Sequence, residues 1–286
     1  MKISLSILLI LGMWIPSPPA LAEHREWLTS VDEALDLAKK NDQRILVDLY
    51  ADWCGWCKRL EQDVFSTPIF QEFSKDYVLL RVDTEDGDEG TQLQQKYEAY
   101  NLPTTLVLDQ KQVMIAEVKG YAPAAQYVAT IQREIGSFDE LVRGYEQFRD
   151  SQDLRALAIL ADEFHKRNDG DRSAELYRAI LSTAELDPAK IVRIRYQLTN
   201  ALRLATRYEE ASQELTLARA DAVKIEDGPL VQRLDLLAAQ ISLDSGDCDK
   251  AQSALEDFLG TYPSSDLVRS ARKTLQTLKS QGYQCT

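Results

Sequence analysis

Cys54 and Cys57 stand three residues apart in the tetrapeptide Cys54-Gly55-Trp56-Cys57, directly after the run Ile45-Leu46-Val47-Asp48-Leu49-Tyr50. So dense an apolar run is the pattern of a strand covered on both faces of a sheet, and the cysteine pair falls where the next helix should begin. A cysteine at a helix N-terminus faces unpaired backbone N–H groups and the positive end of the helix dipole, which together stabilise a thiolate. Cys54 is therefore the expected nucleophile. Cys57, one turn on, shares a helix face with Leu60 and Val64, so it points inward and can resolve a mixed disulfide away from bulk solvent. Asp48 interrupts the strand. Burial penalises the charged form of a carboxylate and raises its pKa, which suits Asp48 to exchange a proton with the resolving thiol.

Two other uses of the cysteines compete with redox chemistry: half of a zinc site, or a static staple with Asp48 on a solvated face. Zinc needs two further ligands close by. The chain offers His24 and His165 as its histidines, and Cys248 and Cys285 are not a second close pair. A Cys-x-x-Cys in a strand-helix-strand setting reads instead as a thiol-disulfide motif.

Asp48, Ala51, Trp53, Cys54, Gly55, Cys57 and Lys58 match the thioredoxin active-site segment, and Val47 to Cys54 (VDLYADWC) is similar to the C-terminal periplasmic domain of DsbD-type thiol-disulfide interchange proteins. The resemblance spans about Trp27 to Ile135. It includes Leu102-Pro103-Thr104, where that superfamily has a loop with a cis-proline abutting the cysteines. It implies a thioredoxin-like fold, catalytic roles for Cys54, Cys57 and Asp48, and substrate contacts at Trp53, Gly55, Trp56, Leu102 and Pro103. No cofactor is implied. Backbone groups beside the proline, supplied by Leu102, can pair with an extended substrate segment. The chain departs from the family at two places. Trp56 replaces the proline of the common Cys-Gly-Pro-Cys, which leaves the redox potential open. The lysine that often accompanies the buried aspartate looks replaced by an apolar residue, Leu79, which would push the Asp48 pKa further up.

The 286 residues suggest two domains. With 46 acidic against 33 basic residues and a net charge of −13, nucleic acid and anionic membrane are poor candidates for the main partner. The first 22 residues, MKISLSILLILGMWIPSPPALA, read as a secretory signal: one lysine, an apolar core from Ile3 to Ile15, and cleavage after Ala22. That core is short of the roughly 20 residues a membrane span needs. Export, periplasmic in a Gram-negative cell, would place the cysteines where disulfides persist.

The elements that must hold the site follow in order. Ser30 to Asn41 is a helix with Ser30 as N-cap and Glu33 completing a capping box. The cysteine helix runs from about Gly55 to Val64 and restarts at Pro68. Val78 to Val82 is a second buried strand. Asp83 to Gly90 is an acidic loop whose spacing does not match a calcium-binding EF-hand, and Leu93 to Tyr100 is a short helix. Thr104 to Leu108 and Val113 to Val118 form a hairpin about Asp109-Gln110-Lys111. A helix from Pro123 to Ile135 closes a four-stranded α/β domain, assigned to residues 25–136, and 137–150 reads as a linker helix.

The second half, 151–286, is all helical in pattern. Ala174, Ala211 and Ala251 stand in similar surroundings 37 and 40 residues apart, longer than the roughly 34 of a tetratricopeptide repeat but with the spacing of its second helix. Three helix pairs are expected, about Gln152–Leu186, Pro188–Lys224 and Pro229–Gly260, then a capping helix Ser264–Ser280; an irregular helical bundle is the alternative. Cys248 opens one helix and Cys285 follows the next, so a disulfide between them would staple the cap.

The expectation is an exported thiol-disulfide oxidoreductase acting on a disulfide-containing protein, supplied by a redox partner protein, with the helical half as docking surface. The alternatives are a binding or assembly module in which the thioredoxin domain is an adaptor, and a disulfide oxidase or isomerase.

Overall fold

Strand β1 (Arg44–Tyr50) is the pivot of the fold, and its side chains divide the interior by the strand's period of two. Ile45, Val47 and Leu49 enter one apolar cluster with Ala34, Leu35 and Ala38 of helix α1 (Val31–Asn41). Leu46 enters the other, with Leu60, Val64, Phe70 and Tyr127. Asp48 shares the Leu46 face. The computed structural model describes residues 26–183 and 186–280.

The sheet has four strands in the order β2-β1-β3-β4. β2 (Tyr77–Asp83) runs parallel to β1, and β3 (Thr104–Leu108) antiparallel to it; β4 (Met114–Lys119) returns antiparallel to β3. A parallel neighbour needs a crossover, here helix α2 (Gly55–Leu60), a π-type turn over Glu61–Phe65, and helix α3 (Pro68–Phe73). The helix break expected before Pro68 is present, with Thr67 Oγ1 accepting the Phe70 N–H. Ser30 caps α1 by accepting the Glu33 N–H at 3.5 Å. Leu28 continues the sheet beyond β2, donating to the Leu79 carbonyl and accepting from the Arg81 N–H.

The acidic loop after β2 is organised by Asp86, whose carboxylate accepts the N–H groups of Asp88, Gly90 and Thr91. Gly90 is required there, since a Cβ at that position would lie 1.9 Å from the Asp83 carbonyl oxygen. The helix that follows, α4 (Glu89–Lys96), begins earlier than expected and ends before Tyr100.

The helix expected to stop at Ile135 continues through Gly136 as one helix, α5 (Ala124–Phe148). Phe138 and Tyr145 bury in the same core as Tyr127 and Ile131, which outweighs the roughly 1 kcal/mol that an interior glycine costs. Beyond it the chain is an all-α bundle: α6 (Leu154–Lys166), α7 (Gly170–Thr183), α8 (Pro188–Leu204), α9 (Tyr208–Lys224), α10 (Gly228–Asp244), α11 (Cys248–Thr261) and α12 (Val268–Ser280). The turns after α6, α8, α9 and α10 are each three residues long, with Asn168, Thr206, Glu226 and Gly246 at positive φ. Such short turns fold each helix back along its predecessor.

The two halves share one core. The cluster that contains Leu46 and Ile115 runs through Phe138 and Tyr145 to Leu157, Phe164, Leu176 and Ile241. The exposed edge of β4 is closed by the α6–α7 turn, where the Met114 N–H donates to the Arg167 carbonyl at 2.8 Å. Arg167 Nη1 in turn donates to the Met114 and Ile115 carbonyls. An unpaired strand edge is a template for unwanted pairing, and here its first two residues, Met114 and Ile115, are capped.

Candidate active site

Cys54 is the N-cap of α2, with extended backbone, and its sulfur accepts the Cys57 N–H at 3.1 Å. Cys54 and Cys57 are joined by a disulfide, with Cα atoms 5.3 Å apart. When the bond is reduced, the same N–H is placed to solvate a Cys54 thiolate. Cys57 is 1% exposed and Cys54 4%. Both pack against Ala51, Tyr50 and Leu102. The Leu102–Pro103 peptide bond is cis, and the loop carrying it thus meets the cysteines.

Asp48 is fully buried. It lies on the β1 face that packs against Leu60 and Val64, the helix face that also carries Cys57. Its register partners are Arg81 on β2 and Thr105 on β3. Arg81 Nε lies 3.3 Å from Asp48 Oδ2, near enough for charge attraction but not aligned as a hydrogen bond, and neither carboxylate oxygen has a hydrogen-bond partner. Burial pushes the Asp48 pKa up to about 7, opposed by Arg81 and reinforced by Glu61. A carboxyl of that pKa can give and take a proton near neutrality.

The basic companion of Asp48 is therefore present, contrary to the expectation of an apolar residue at Leu79. Leu79 pairs with Leu46, two residues along, and lies in the core. Arg81 also reaches outward, with Nη1 2.9 Å from Glu61 Oε1 and its guanidinium 4.4 Å from the centre of the Tyr50 ring. Glu61 is four residues after Cys57 and half-exposed, so the chain Glu61–Arg81–Asp48 joins solvent to the buried acid.

Trp53 and Trp56 are 68% and 54% exposed beside the disulfide. Trp53 Nε1 donates to Glu85 Oε1 at 2.8 Å. Trp56 packs on Tyr121, ring centres 5.5 Å apart, and the Arg59 guanidinium lies against both rings. Arg59 and the Tyr121 hydroxyl converge on the Asp63 carboxylate. Sequence reasoning missed Arg81, Glu61 and Tyr121. Arg81 carried a signal, since it breaks the apolar run of β2 as Asp48 breaks that of β1; Tyr121 carried none.

The structure thus brings Asp48, Cys54, Cys57, Leu102 and Pro103 together, with Trp53, Gly55 and Trp56 at the rim. Cys248 stands at the start of α11, far along the chain in the helical half. Cys285 and the expected signal segment lie outside the described residues. No described helix is long and apolar enough to cross a membrane.

Residues 26–110 match the protein-family model described as thioredoxin-like. The N-terminal half has a thioredoxin-like fold. The chain is 31% identical over 122 residues to the thiol:disulfide interchange protein DsbD of Haemophilus ducreyi, covering 41% of this chain and 21% of that protein. Against DsbD of Pseudomonas fluorescens it is 43% identical over 74 residues, 26% of this chain and 13% of the relative. The oxidised C-terminal domain of Neisseria meningitidis DsbD superposes with a TM-score of 0.34 at 19% identity, covering 38% of this chain and 99% of that domain. The chain spans about a fifth of the length of the first two curated relatives.

Proposed function

We propose that the protein is an exported thiol-disulfide oxidoreductase that reduces disulfides in a protein substrate. The observation that carries this reading is the Cys54–Cys57 disulfide at the mouth of α2 together with a buried Asp48 of pKa about 7 on the facing strand. In the reduced enzyme the Cys54 thiolate attacks a sulfur of the substrate disulfide. A Cys54–substrate disulfide forms, and the other substrate sulfur leaves as a thiolate and is protonated. Cys57 passes its proton to Asp48 and attacks Cys54 Sγ. The intramolecular disulfide forms and the second substrate thiol is released. A partner dithiol then returns two electrons to the pair. Cis-Pro103 and Leu102 offer backbone to an extended substrate, and Trp53, Gly55 and Trp56 form the rim it meets.

In this reading residues 1–22 are a cleaved signal and 25–136 the redox domain in the periplasm. The part of α5 beyond Gly136 serves as the connection between the halves, and 151–286 are tetratricopeptide-like pairs that dock the partner. Ala174, Ala211 and Ala251, 37 and 40 residues apart and each fully buried, support paired repeats. Cys248 and Cys285 are the proposed staple of the last helix; mass spectrometry of the non-reduced protein should find them joined, and two free thiols would remove that staple. Likeness to DsbD favours the reducing direction over an oxidase or isomerase.

The test is trapping in cells. Cys57→Ala leaves the mixed disulfide unresolved, so the variant should accumulate covalent adducts that disappear on reduction and in Cys54→Ser/Cys57→Ala. No adduct through Cys54 would overturn the reading. A phenotype left intact by Cys54→Ser/Cys57→Ser would favour the adaptor role instead.

A further inference from the structure

The helical half contains a groove whose chemistry contrasts with that of the rest of the chain. Tyr196 of α8, Leu236 and Leu237 of α10, Leu255 of α11 and Thr274 of α12 line a concavity of about 430 Å³. It runs into a second of about 450 Å³ lined by Arg193 and Gln197 of α8 and by Pro229 and Leu230 of α10, and both share Tyr196 and Arg233. Each lies within the range of sites that enclose ligand groups, and the continuous groove suits an extended segment better than a compact molecule. Its floor is apolar, with Leu237, Ala239, Leu243 and Leu255 contributing.

The charge on its walls is the second observation. The chain carries a net −13, yet the charged side chains lining the groove are Arg193, Arg233 and Asp227. Asp227 is already engaged, its Oδ1 accepting the Leu230 N–H at 3.1 Å as the cap of α10. The other arginines of α8 and α9 find carboxylates: Arg195, two residues from Arg193, pairs with Glu214 and Asp221, Arg203 with Asp244, and Arg219 with Asp235. Arg193 and Arg233 are exposed and pair with no acidic side chain among the described residues. Helix α12, which forms the far wall, presents Ser270 and Thr274 to the groove and adds no acidic side chain to it.

We propose that this groove binds an extended acidic segment of a partner polypeptide, with aliphatic side chains on the Leu236–Leu237–Leu255 floor and carboxylates on Arg193 and Arg233. Two free guanidiniums above an apolar floor match that composition, since each offers a planar fork to a carboxylate. A nucleic acid fits poorly, because the field of the whole chain repels a polyanion while a short acidic segment meets only the local cations. The inference extends the docking role proposed above and names the chemistry of the docked segment.

The experiment uses the full chain and a displayed library of random short peptides, followed by fluorescence anisotropy with a labelled synthetic copy of an enriched sequence. The expected result is enrichment of segments that place Asp or Glu beside aliphatic residues. Binding should weaken at least about tenfold in Arg193→Glu/Arg233→Glu and clearly, though less, in Arg193→Gln/Arg233→Gln, and fall with added salt. Both arginines are exposed, so far-UV circular dichroism should be unchanged. Absence of enrichment, a non-acidic consensus, unaltered binding in the reversal variant, or displacement of the peptide by a single-stranded oligonucleotide at equal affinity would overturn the proposal. Exchange of the Cys54–Cys57 pair with a small disulfide reagent is measured in parallel. Absence of acidic-peptide binding by the wild-type chain with intact exchange defeats this inference alone, and inert cysteines with intact peptide binding defeat the redox reading alone.

Discussion

Asp48 on β1 and Arg81 on β2 are register partners across the parallel pair, with Oδ2 and Nε 3.3 Å apart. The two charged residues that break otherwise apolar strands thus meet inside the sheet. The pairing is incomplete: the carboxylate keeps no hydrogen bond, and its pKa is about 7 rather than depressed. An arginine at this distance would pull a carboxylate well down in water; burial wins because the charged form loses its hydration.

Stability should depend on Asp48 in a definite direction. In the unfolded chain it ionises near 3.8, in the folded protein near 7. Between those values the folded state holds a proton that the unfolded state has released, so this residue's contribution falls as pH rises and its full cost is present above about pH 7. Asp48→Asn removes the titration. Relative to wild type in the same oxidised state, its stability should improve by on the order of a few kcal/mol from pH 4 to pH 8. Urea unfolding at the two pH values measures this, and a constant difference would show that Asp48 does not titrate as described.

Arg81→Met should raise the Asp48 pKa above its wild-type value, because the cation that opposes burial is gone while Glu61 remains. Fewer molecules then have an ionised Asp48 to receive the Cys57 proton. Resolution of a Cys54 mixed disulfide at pH 6 to 7 should slow by about threefold to tenfold and recover at higher pH. A stopped-flow pH profile reads this directly. An unshifted profile would show that Arg81 does not tune the acidity of Asp48.

Much of the site was legible because its residues violate their surroundings. Asp48 stands in a buried strand, two cysteines stand at a helix start, and Pro103 stands before an apolar strand. The bundle's helices were legible from apolar spacing; their caps, Asp153, Asp187 and Asp227, emerge only in the structure. Register was not legible. Arg81 stands out as the charged residue of VLLRV, but the stretch alone does not set it opposite Asp48; the alignment with β1 and the anchoring of Leu28 to both sides of β2 decide it. Nor was the continuity of α5 across Gly136, because what holds that helix together is burial of Phe138 and Tyr145 among residues remote in sequence. Trp56 meeting Tyr121 is likewise a tertiary contact without a local signature.

The close packing of the bundle rests on Gly170 at the start of α7. A Cβ there would lie 2.4 Å from the Ala201 carbonyl oxygen and the Ala205 nitrogen, both backbone atoms of the α8 end. Gly170→Ala must push α7 from α8 and should cost about 2 to 4 kcal/mol. Thermal unfolding of the full chain tests it; an unchanged midpoint would mean that the helices pack less closely than described.

The most direct test of the redox account is to equilibrate the purified protein across a series of glutathione and glutathione-disulfide buffers and read the state of the pair by alkylation and mass. The account predicts a reversible two-electron transition between the Cys54–Cys57 disulfide and the dithiol, with glutathione trapped on Cys54 when Cys57 is replaced by alanine. A pair that stays joined, or stays reduced, across the whole series would contradict it.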